Sequence, residues 1–346
     1  MPLETELKSY DYSLPKELIA QKPARPREKA RLLVYNLKNG KVVFDSFLHI
    51  GKYLPKNSVL VFNQTKVIPA RLKLVKPTGG KVEILYVSHD KRLIKALANR
   101  KIKPGETLKI AGSRETLTAE AKKGQFYFFR PSFAVSRTMP LLEKLGTMPL
   151  PPYIKNSPLS ERQKREEYQT VFAKNGTSVA APTASLHFTK KLLASLKKQG
   201  IGIKFINLNV GLGTFAPLTE ENLKTNRLHT ETYEISTNTA NFLRLAKKHG
   251  RPIIAVGTTV TRTLESASKA QKPLTRLSGN TDLFIRPGYK YNFVDGMVTN
   301  FHVPKSSLMM LVSAFTGKTR LKKLYQEAIR RKFRFFSFGD GMLILP

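Results

Sequence analysis

Three of the six histidines in this chain lie in loops whose composition is typical of ligand sites. His187 lies in the uncharged, small-residue stretch VAAPTASLHFT, and His302 lies in TNFHVP. His229 lies in RLHTETYEI, two residues before Glu231. Histidine is the usual proton carrier near neutral pH, so these loops predict general acid–base chemistry. For any single histidine a hydrogen-bonded structural role is the alternative, and the residues alone leave it open.

The Gly257-Thr258-Thr259 turn follows the apolar run PIIAV and opens a predicted helix. A helix N-terminus presents free N–H groups and partial positive charge, so this turn could hold a carboxylate or a phosphate. Arg262 would lie one turn along the same helix. An ordinary glycine–threonine helix cap is the alternative.

A glycine pattern at residues 211–216, GLGTFA, formally matches the G-x-G-x-x-A pattern of nucleotide-binding folds, with Glu231 about twenty residues further on. Pro217 stands where the crossover helix should already be running. We therefore interpret the stretch as a loop. Tyr289 in RPGYKY and Phe301 in TNFHVP could stack on a base, although aromatic residues at turns more often simply pack.

Cysteine is absent, which excludes disulfides, thiolate zinc sites, iron–sulfur clusters and cysteine nucleophiles. The sequence has no HExxH motif either, so we expect no metal. The N-terminus lacks the apolar core of a signal peptide, and the apolar stretch at residues 308–315 is too short to span a bilayer. We expect a cytoplasmic protein that does not bind a membrane.

Short alternating stretches separated by glycine and proline turns run from Arg71 to Pro131 and predict a small β-barrel or sandwich. Strands alternate with helices in the rest of the chain, which predicts an α/β domain with a mainly parallel sheet. The predicted domains are therefore residues 1–70 with 132–346, and an inserted barrel at 71–131. Within the first we expect a hairpin at Asn39-Gly40, a helix over 190–199 capped by Thr189, and a strand at FRFFSF near the C-terminus.

The chain has 60 lysines and arginines against 24 acidic residues, a formal net charge of +36. A field of this sign attracts polyanions and favours a nucleic-acid partner. A lineage with generally lysine-rich proteins is the alternative, because the basic residues are scattered along the chain and form no single tract.

Many ordered strings of the chain resemble the S-adenosylmethionine:tRNA ribosyltransferase-isomerase family of the queuosine pathway, nearly from end to end. The strings include VFNQTKVIPARL, SVAAPTASLHFT, VGLGTFAP, RLHTETYEI, AVGTTVTRTLES, VDGMVTNFHVPKSSLMMLVSAF and FRFFSFGDGMLI. The resemblance implies transfer of the ribosyl group of S-adenosylmethionine to 7-aminomethyl-7-deazaguanine at the tRNA wobble position. It also implies isomerisation to epoxyqueuosine, with release of adenine and methionine. S-Adenosylmethionine would be a substrate and no true cofactor is implied.

By resemblance and position, we expect proton-handling or orienting roles for His187, His229 and Glu231. Candidates for substrate binding are Thr258, Thr259, Arg262, Tyr289, Asn300, His302, Asp340 and Arg71. The first three of these would hold the methionyl carboxylate. The partners would be S-adenosylmethionine and the tRNA that carries the deazaguanine, and we expect a monomer.

Several positions depart from the family pattern. Asn209 replaces a histidine, Ser185 replaces a glycine, and Gln64 and Lys66 replace an aspartate and an arginine. Two alternative functions stay open from the residues: an S-adenosylmethionine-dependent RNA methyltransferase and a non-catalytic RNA-binding protein.

Overall fold

Continuous apolar runs form the strands of one large sheet. The computed structural model describes residues 3–174, 176–211, 218–268 and 272–346. Within these residues nine strands pair in the order β13-β11-β10-β3-β12-β14-β15-β1-β2. Their bounds are β1 Arg31–Asn36, β2 Val42–Ser46, β3 Val59–Asn63, β10 Gly202–Leu208, β11 Arg227–Glu234, β12 Ile253–Val256, β13 Ser278–Leu283, β14 Gly296–Asn300 and β15 Gly341–Leu345.

The predicted fold class, an α/β layer with an inserted barrel, is confirmed. The sheet itself is mixed, whereas a mainly parallel sheet was predicted. Four strand pairs in the described sheet are parallel and four are antiparallel. The connections explain the difference. The Asn39-Gly40 turn makes β1 and β2 an antiparallel hairpin, as predicted. Two successive helices join β14 to β15, so the chain re-enters the sheet at the end it left and runs antiparallel.

The helices of the described chain cover the sheet and connect its strands. Their bounds are α1 Leu3–Lys8, α2 Thr138–Leu145, α3 Glu161–Glu167, α4 Lys190–Lys198, α5 Glu220–Thr225, α6 Thr237–Lys248, α7 Thr258–Ala267, α8 Ser307–Thr316 and α9 Lys318–Arg330. The predicted helix α4 is confirmed, and the Thr189 hydroxyl accepts a hydrogen bond from the Leu192 N–H at 3.2 Å. Its leucines are buried against β1 and β3. No helix in these residues is long and apolar enough to cross a membrane.

Six antiparallel strands close into a barrel in the order β4-β5-β6-β9-β8-β7. Their bounds are β4 Arg71–Val75, β5 Lys81–His89, β6 Ile94–Ala98, β7 Thr107–Ile110, β8 Thr116–Lys123 and β9 Phe126–Pro131. Alternate side chains point inward and form a core of their own, as the period of two in the sequence requires. How the chain divides into independently stable domains stays a prediction.

The strand predicted at FRFFSF is wrong. Residues 333–338 form an irregular segment that ends in a turn, with one isolated bridge between Phe335 and Ile19, and β15 follows them. Two observations explain the difference. The Arg334 N–H donates to the Asp340 carboxylate at 2.8 Å, and Phe336 has a φ of 70°, which breaks an extended path. The aromatic side chains are buried all the same, because they fill the core between α9 and the sheet.

Candidate active site

A cavity of about 500 Å³ opens at the carboxyl ends of β12 and β14. The loops after these strands lead directly into α7 and α8, which is where α/β sheets commonly bind ligands. The cavity is lined by Leu7, Pro152, Tyr153, residues 180–184, Val210, Leu218, 257–259, 299–308, Phe336 and Ser337. Residues 212–217, which include all of the glycine pattern except Gly211, lie outside the described part of the chain. The lining is mostly apolar with a few polar groups, as small-molecule sites usually are.

Two helix N-termini meet at this cavity. Gly257, Thr258 and Thr259 at the start of α7 and Ser306 and Ser307 at the start of α8 all line it. Among the described residues no side chain caps α7, so its first N–H groups are left for another partner. The Thr259 hydroxyl is also buried without a hydrogen-bond partner in this part of the structure. Together the two termini form a positively polarised corner that suits a carboxylate.

A smaller chamber extends from the same corner and contains a buried ion pair. It shares Thr258, Thr259, Ser307 and Leu308 with the large cavity and is also lined by His229, Glu231 and Arg262. Arg262 Nη1 contacts Glu231 Oε2, and both side chains are buried. The Gly211 N–H donates to Glu231 Oε1 at 3.2 Å. The structure thus brings five of the predicted site residues together.

Arg262 uses two of its three guanidinium nitrogens in contacts with described residues. Its Nε donates to the Leu283 carbonyl at 3.0 Å, and its Nη1 is used by Glu231. Within the described residues Nη2 is buried and has no hydrogen-bond acceptor. An unpaired buried donor is costly, so a ligand oxygen at this position would be stabilised.

His302 and Asn300 lie on the wall of the cavity beside the α8 terminus. His302 Nε2 is 2.8 Å from the Thr299 hydroxyl. Burial lowers the pKa of His302 to about 4, so the imidazole is neutral at pH 7. Asn300 donates from Nδ2 to the Phe336 carbonyl at 2.9 Å, and its Oδ1 is buried without a partner in the described structure.

His187 lies behind this wall, outside the residues that line the cavity. Its ring stacks on Phe47 with 4.0 Å between centroids. Burial, helped by the nearby cations Arg334 and Arg27, lowers the pKa of His187 to about 3, and the adjacent Asn300 side chain opposes the shift. His187 is therefore a neutral imidazole that neighbours Asn300. Residues 180–184 of the small-residue loop, which was predicted to face a ligand, line the cavity.

Besides His187, the predicted residues Tyr289, Asp340 and Arg71 also lie away from the large cavity. Tyr289 donates its hydroxyl to Glu265 at 3.0 Å, and burial raises its pKa. Asp340 accepts from the N–H groups of Arg31 and Arg334 at 2.9 and 2.8 Å and so holds the turn before β15.

Arg71 pairs with Glu83 at the junction of the barrel with the α/β domain. It lines a polar cavity of about 370 Å³ that shares Pro152 with the large cavity. Phe301 is fully buried among aromatic rings, which fits the packing alternative.

Two hydroxyl groups in the cavity were not predicted from the sequence. Tyr153 and Ser337 both line it, and their oxygens are 2.7 Å apart. Burial raises the pKa of Tyr153 to about 12. Tyr153 belongs to the string PLPPYI, whose prolines indicated only a boundary, and Ser337 lies in the loop mistaken for a strand. A tyrosine directly after a rigid proline run was the available signal.

Two of the four departures from the family pattern, Asn209 and Lys66, have side-chain partners nearby. Asn209 Oδ1 accepts from the Thr65 hydroxyl at 3.2 Å, and Lys66 pairs with Glu143 at 3.2 Å. The Ser185 hydroxyl is buried with no partner among the described residues, and nothing in the structure explains it. In the same residues no group of three or more histidine or acidic side chains could hold a metal ion.

Comparison with known proteins gives consistent results. A family model described as queuosine biosynthesis protein matches residues 7–344. An S-adenosylmethionine:tRNA ribosyltransferase-isomerase from Halothermothrix orenii is 44% identical, over 98% of this chain and 100% of that protein. One from Aquifex aeolicus is also 44% identical, over 98% and 99%. The crystal structure of the S-adenosylmethionine tRNA ribosyltransferase from Thermotoga maritima is 33% identical with a TM-score of 0.56, over 97% of this chain and 100% of that one.

Proposed function

This chain belongs to the queuosine biosynthesis family of S-adenosylmethionine:tRNA ribosyltransferase-isomerases, and we propose that it carries out their reaction in the cavity at the starts of α7 and α8. It transfers the ribosyl group of S-adenosylmethionine to 7-aminomethyl-7-deazaguanine in tRNA and isomerises it, releasing adenine and methionine. Similarity along nearly the whole chain supports this assignment. A cavity of about 500 Å³ is also within the usual range for a ligand of this size.

The methionyl carboxylate of the donor binds at the corner where α7 and α8 begin. The observation that carries this assignment is the buried Arg262 Nη2, which has no acceptor among the described residues and belongs to a chamber shared with both helix termini. Free N–H groups at Thr258 and Thr259 add further donors. Glu231 holds the guanidinium in place from the other side. The donor's sulfonium and ribose would then extend into the large cavity.

Proton transfer is the chemistry that the site residues must supply. The sulfonium acidifies the neighbouring ribose carbon, so a base removes that proton and an acid assists the departure of adenine. His229 and Glu231, at the smaller chamber, are our candidates for handling these protons. His302 and His187 are neutral imidazoles at pH 7. His302 touches the cavity and binds substrate, whereas His187 lies behind the cavity wall beside Asn300.

The nucleobase of the tRNA enters from the polar cavity beside Arg71. This second cavity shares Pro152 with the first, so a base inserted between the barrel and the α/β domain would approach the donor. Its amine then attacks the ribosyl group. Tyr289 and Asp340 hold loops in place and make no contact with the substrates.

Binding of a donor analogue tests the carboxylate assignment. We expect calorimetry to show that the wild-type protein binds S-adenosylmethionine at least tenfold more tightly than its decarboxylated analogue. The double variant Glu231→Gln/Arg262→Gln, which removes both charges of the buried pair together, should lose this difference. Arg227→Gln is the matched control, because Arg227 makes a surface ion pair with Asp282. A folded double variant that still discriminates tenfold would contradict the assignment.

We further propose that the protein acts in the cytoplasm as a monomer. Its substrate is a tRNA, and the site is built from one chain. Sedimentation of the purified protein at working concentration should give a mass near 39.0 kDa. A mass equal to that of two chains would contradict the proposed monomeric state.

A further inference from the structure

The outer surface of the barrel carries two aromatic side chains that lack a packing role. Along β9 the side chains alternate, with Tyr127 and Phe129 buried in the barrel and Phe126 and Phe128 half-buried on its outside. In the described part of the chain, neither outward phenylalanine belongs to a hydrophobic core cluster. Neighbouring apolar side chains of this size that are partly accessible on the outside of a strand often mark an interaction site.

The position of β9 in the barrel turns these side chains away from the rest of the protein. In the closed order β4-β5-β6-β9-β8-β7, β9 is three strands from β4 in either direction. β4 is the strand that joins the α/β domain, since Arg71 pairs with Thr147 and β4 packs against α2. β9 therefore lies on the opposite side, and its outward side chains face solvent.

A lysine accompanies each of the two rings. Lys95 on β6 pairs in register with Phe128, and its Nζ lies 4.0 Å from the centre of the Phe126 ring. Lys123 on β8 pairs in register with Phe126, and its Nζ lies 6.0 Å from the centre of the Phe128 ring. The segment 71–131 contains fifteen lysines and arginines against five acidic residues. The two rings thus lie on a surface of strong positive charge.

We propose that this outer face of β6, β9 and β8, the aromatic–lysine face, binds the RNA substrate. An unpaired base stacks on Phe126 or Phe128, and neighbouring backbone phosphates contact Lys95 and Lys123. Aromatic side chains on strands, interleaved with cations, are the usual platform for single-stranded RNA, because every base has a face that can stack. The inference rests on the proposed function, which supplies the RNA.

The width of the barrel is compatible with one RNA that contacts both this face and the junction near Arg71. Strands are about 4.8 Å apart, so the backbone of a six-stranded barrel is on the order of 10–12 Å wide. An RNA whose modified base lies at the junction near Arg71 could therefore reach around the barrel with other nucleotides of the same loop. Both contacts would be made by one substrate.

Binding of an anticodon stem-loop RNA that carries 7-aminomethyl-7-deazaguanine tests the proposal. Measured by fluorescence anisotropy, the Phe126→Ala/Phe128→Ala variant should bind the RNA at least tenfold more weakly, because stacking on an aromatic ring is lost. Lys95→Gln should weaken binding and lower the slope of log affinity against log salt by about 0.7 to 0.9. Matched controls are Leu245→Ala on α6 and Lys109→Gln on β7, both exposed and away from this face.

The same experiment separates this proposal from the proposed function. At saturating RNA, the rate of adenine release should equal that of the wild type, since the face is remote from the donor. If the alanine variant does not fold, Phe126→Leu/Phe128→Leu keeps an apolar surface but removes both rings. If a folded variant that lacks both rings binds RNA as tightly as the wild type, the proposal is overturned. An acidic protein would then be the partner to test at this face. Failure of wild-type protein to release adenine would instead contradict the proposed function.

Discussion

At the scale of single residues, burial sets the protonation of the histidines in this protein. His187 and His302 have pKa values lowered to about 3 and about 4, mainly by burial. Acid–base chemistry at these positions was expected from the loops in which they lie. Sequence shows the residue type but not the desolvation, so it could not predict that both imidazoles are neutral at pH 7. The proton-handling role of His187 stays a prediction.

The buried histidines predict how stability depends on pH. A histidine with a lowered pKa in the folded protein binds its proton mainly in the unfolded chain, so stability is full above pH 6.5 and falls as pH decreases toward about 4. His187→Asn should reduce this loss, by up to about 1.4 kcal/mol for each pH unit below 6. Urea unfolding at pH 7, 6 and 5 measures it. His249→Asn, at an exposed position, is the control, and equal pH dependence in wild type and His187→Asn would contradict the account.

At the scale of elements, the turns and caps explain which parts of the fold could be predicted. The Asn39-Gly40 hairpin and the Thr189 cap act over a few residues, and local sequence determines both. The turn at residues 333–338 depends on the Asp340 carboxylate, which accepts a hydrogen bond from the Arg334 N–H. The propensities of the residues within the turn do not reflect this contact, so they could not predict it. For the same reason the pairing of Tyr153 with Ser337 could not be predicted.

Removal of two helix caps should distinguish an effect on stability from an effect on substrate binding. Ser306 caps α8 at the cavity, whereas Thr189 caps α4. Ser306→Ala and Thr189→Ala should each lower the free energy of unfolding by about 1 kcal/mol. Only Ser306→Ala should also raise KM for S-adenosylmethionine, because the start of α8 lines the site. Steady-state kinetics with denaturant unfolding checks both, and a similar rise in KM in both variants would contradict the assigned site.

Glu265 should be essential for holding α7 to the loop that follows β13. It accepts the N–H groups of Asn292, Phe293 and Val294 at 2.8 to 3.0 Å, and the Tyr289 hydroxyl at 3.0 Å. We expect Glu265→Ala to cost about 3 kcal/mol, because several buried donors lose their acceptor. Glu221→Ala on α5 is an exposed control. Thermal unfolding at the wild-type temperature in Glu265→Ala would contradict this role.

At the scale of the whole molecule, the net charge of +36 predicts that salt weakens the binding of RNA more than the binding of the donor. Phosphate contacts release counterions, so RNA affinity should fall by about fiftyfold to 150-fold between 50 and 200 mM salt if about four contacts form. Affinity for S-adenosylmethionine, a small donor that has no phosphate groups, should change much less. Parallel titrations at the two salt concentrations measure the difference. Equal salt dependence for the two ligands would contradict separate RNA and donor sites.

The products formed from labelled S-adenosylmethionine test the central claim most directly. The purified protein is incubated with donor labelled in the adenine and in the ribose, and with tRNA that carries 7-aminomethyl-7-deazaguanine. We expect free adenine and methionine, with the ribose label on the tRNA. Formation of S-adenosylhomocysteine with a methylated tRNA would contradict it in favour of a methyltransferase. RNA binding without consumption of the donor would contradict it in favour of a non-catalytic RNA-binding protein.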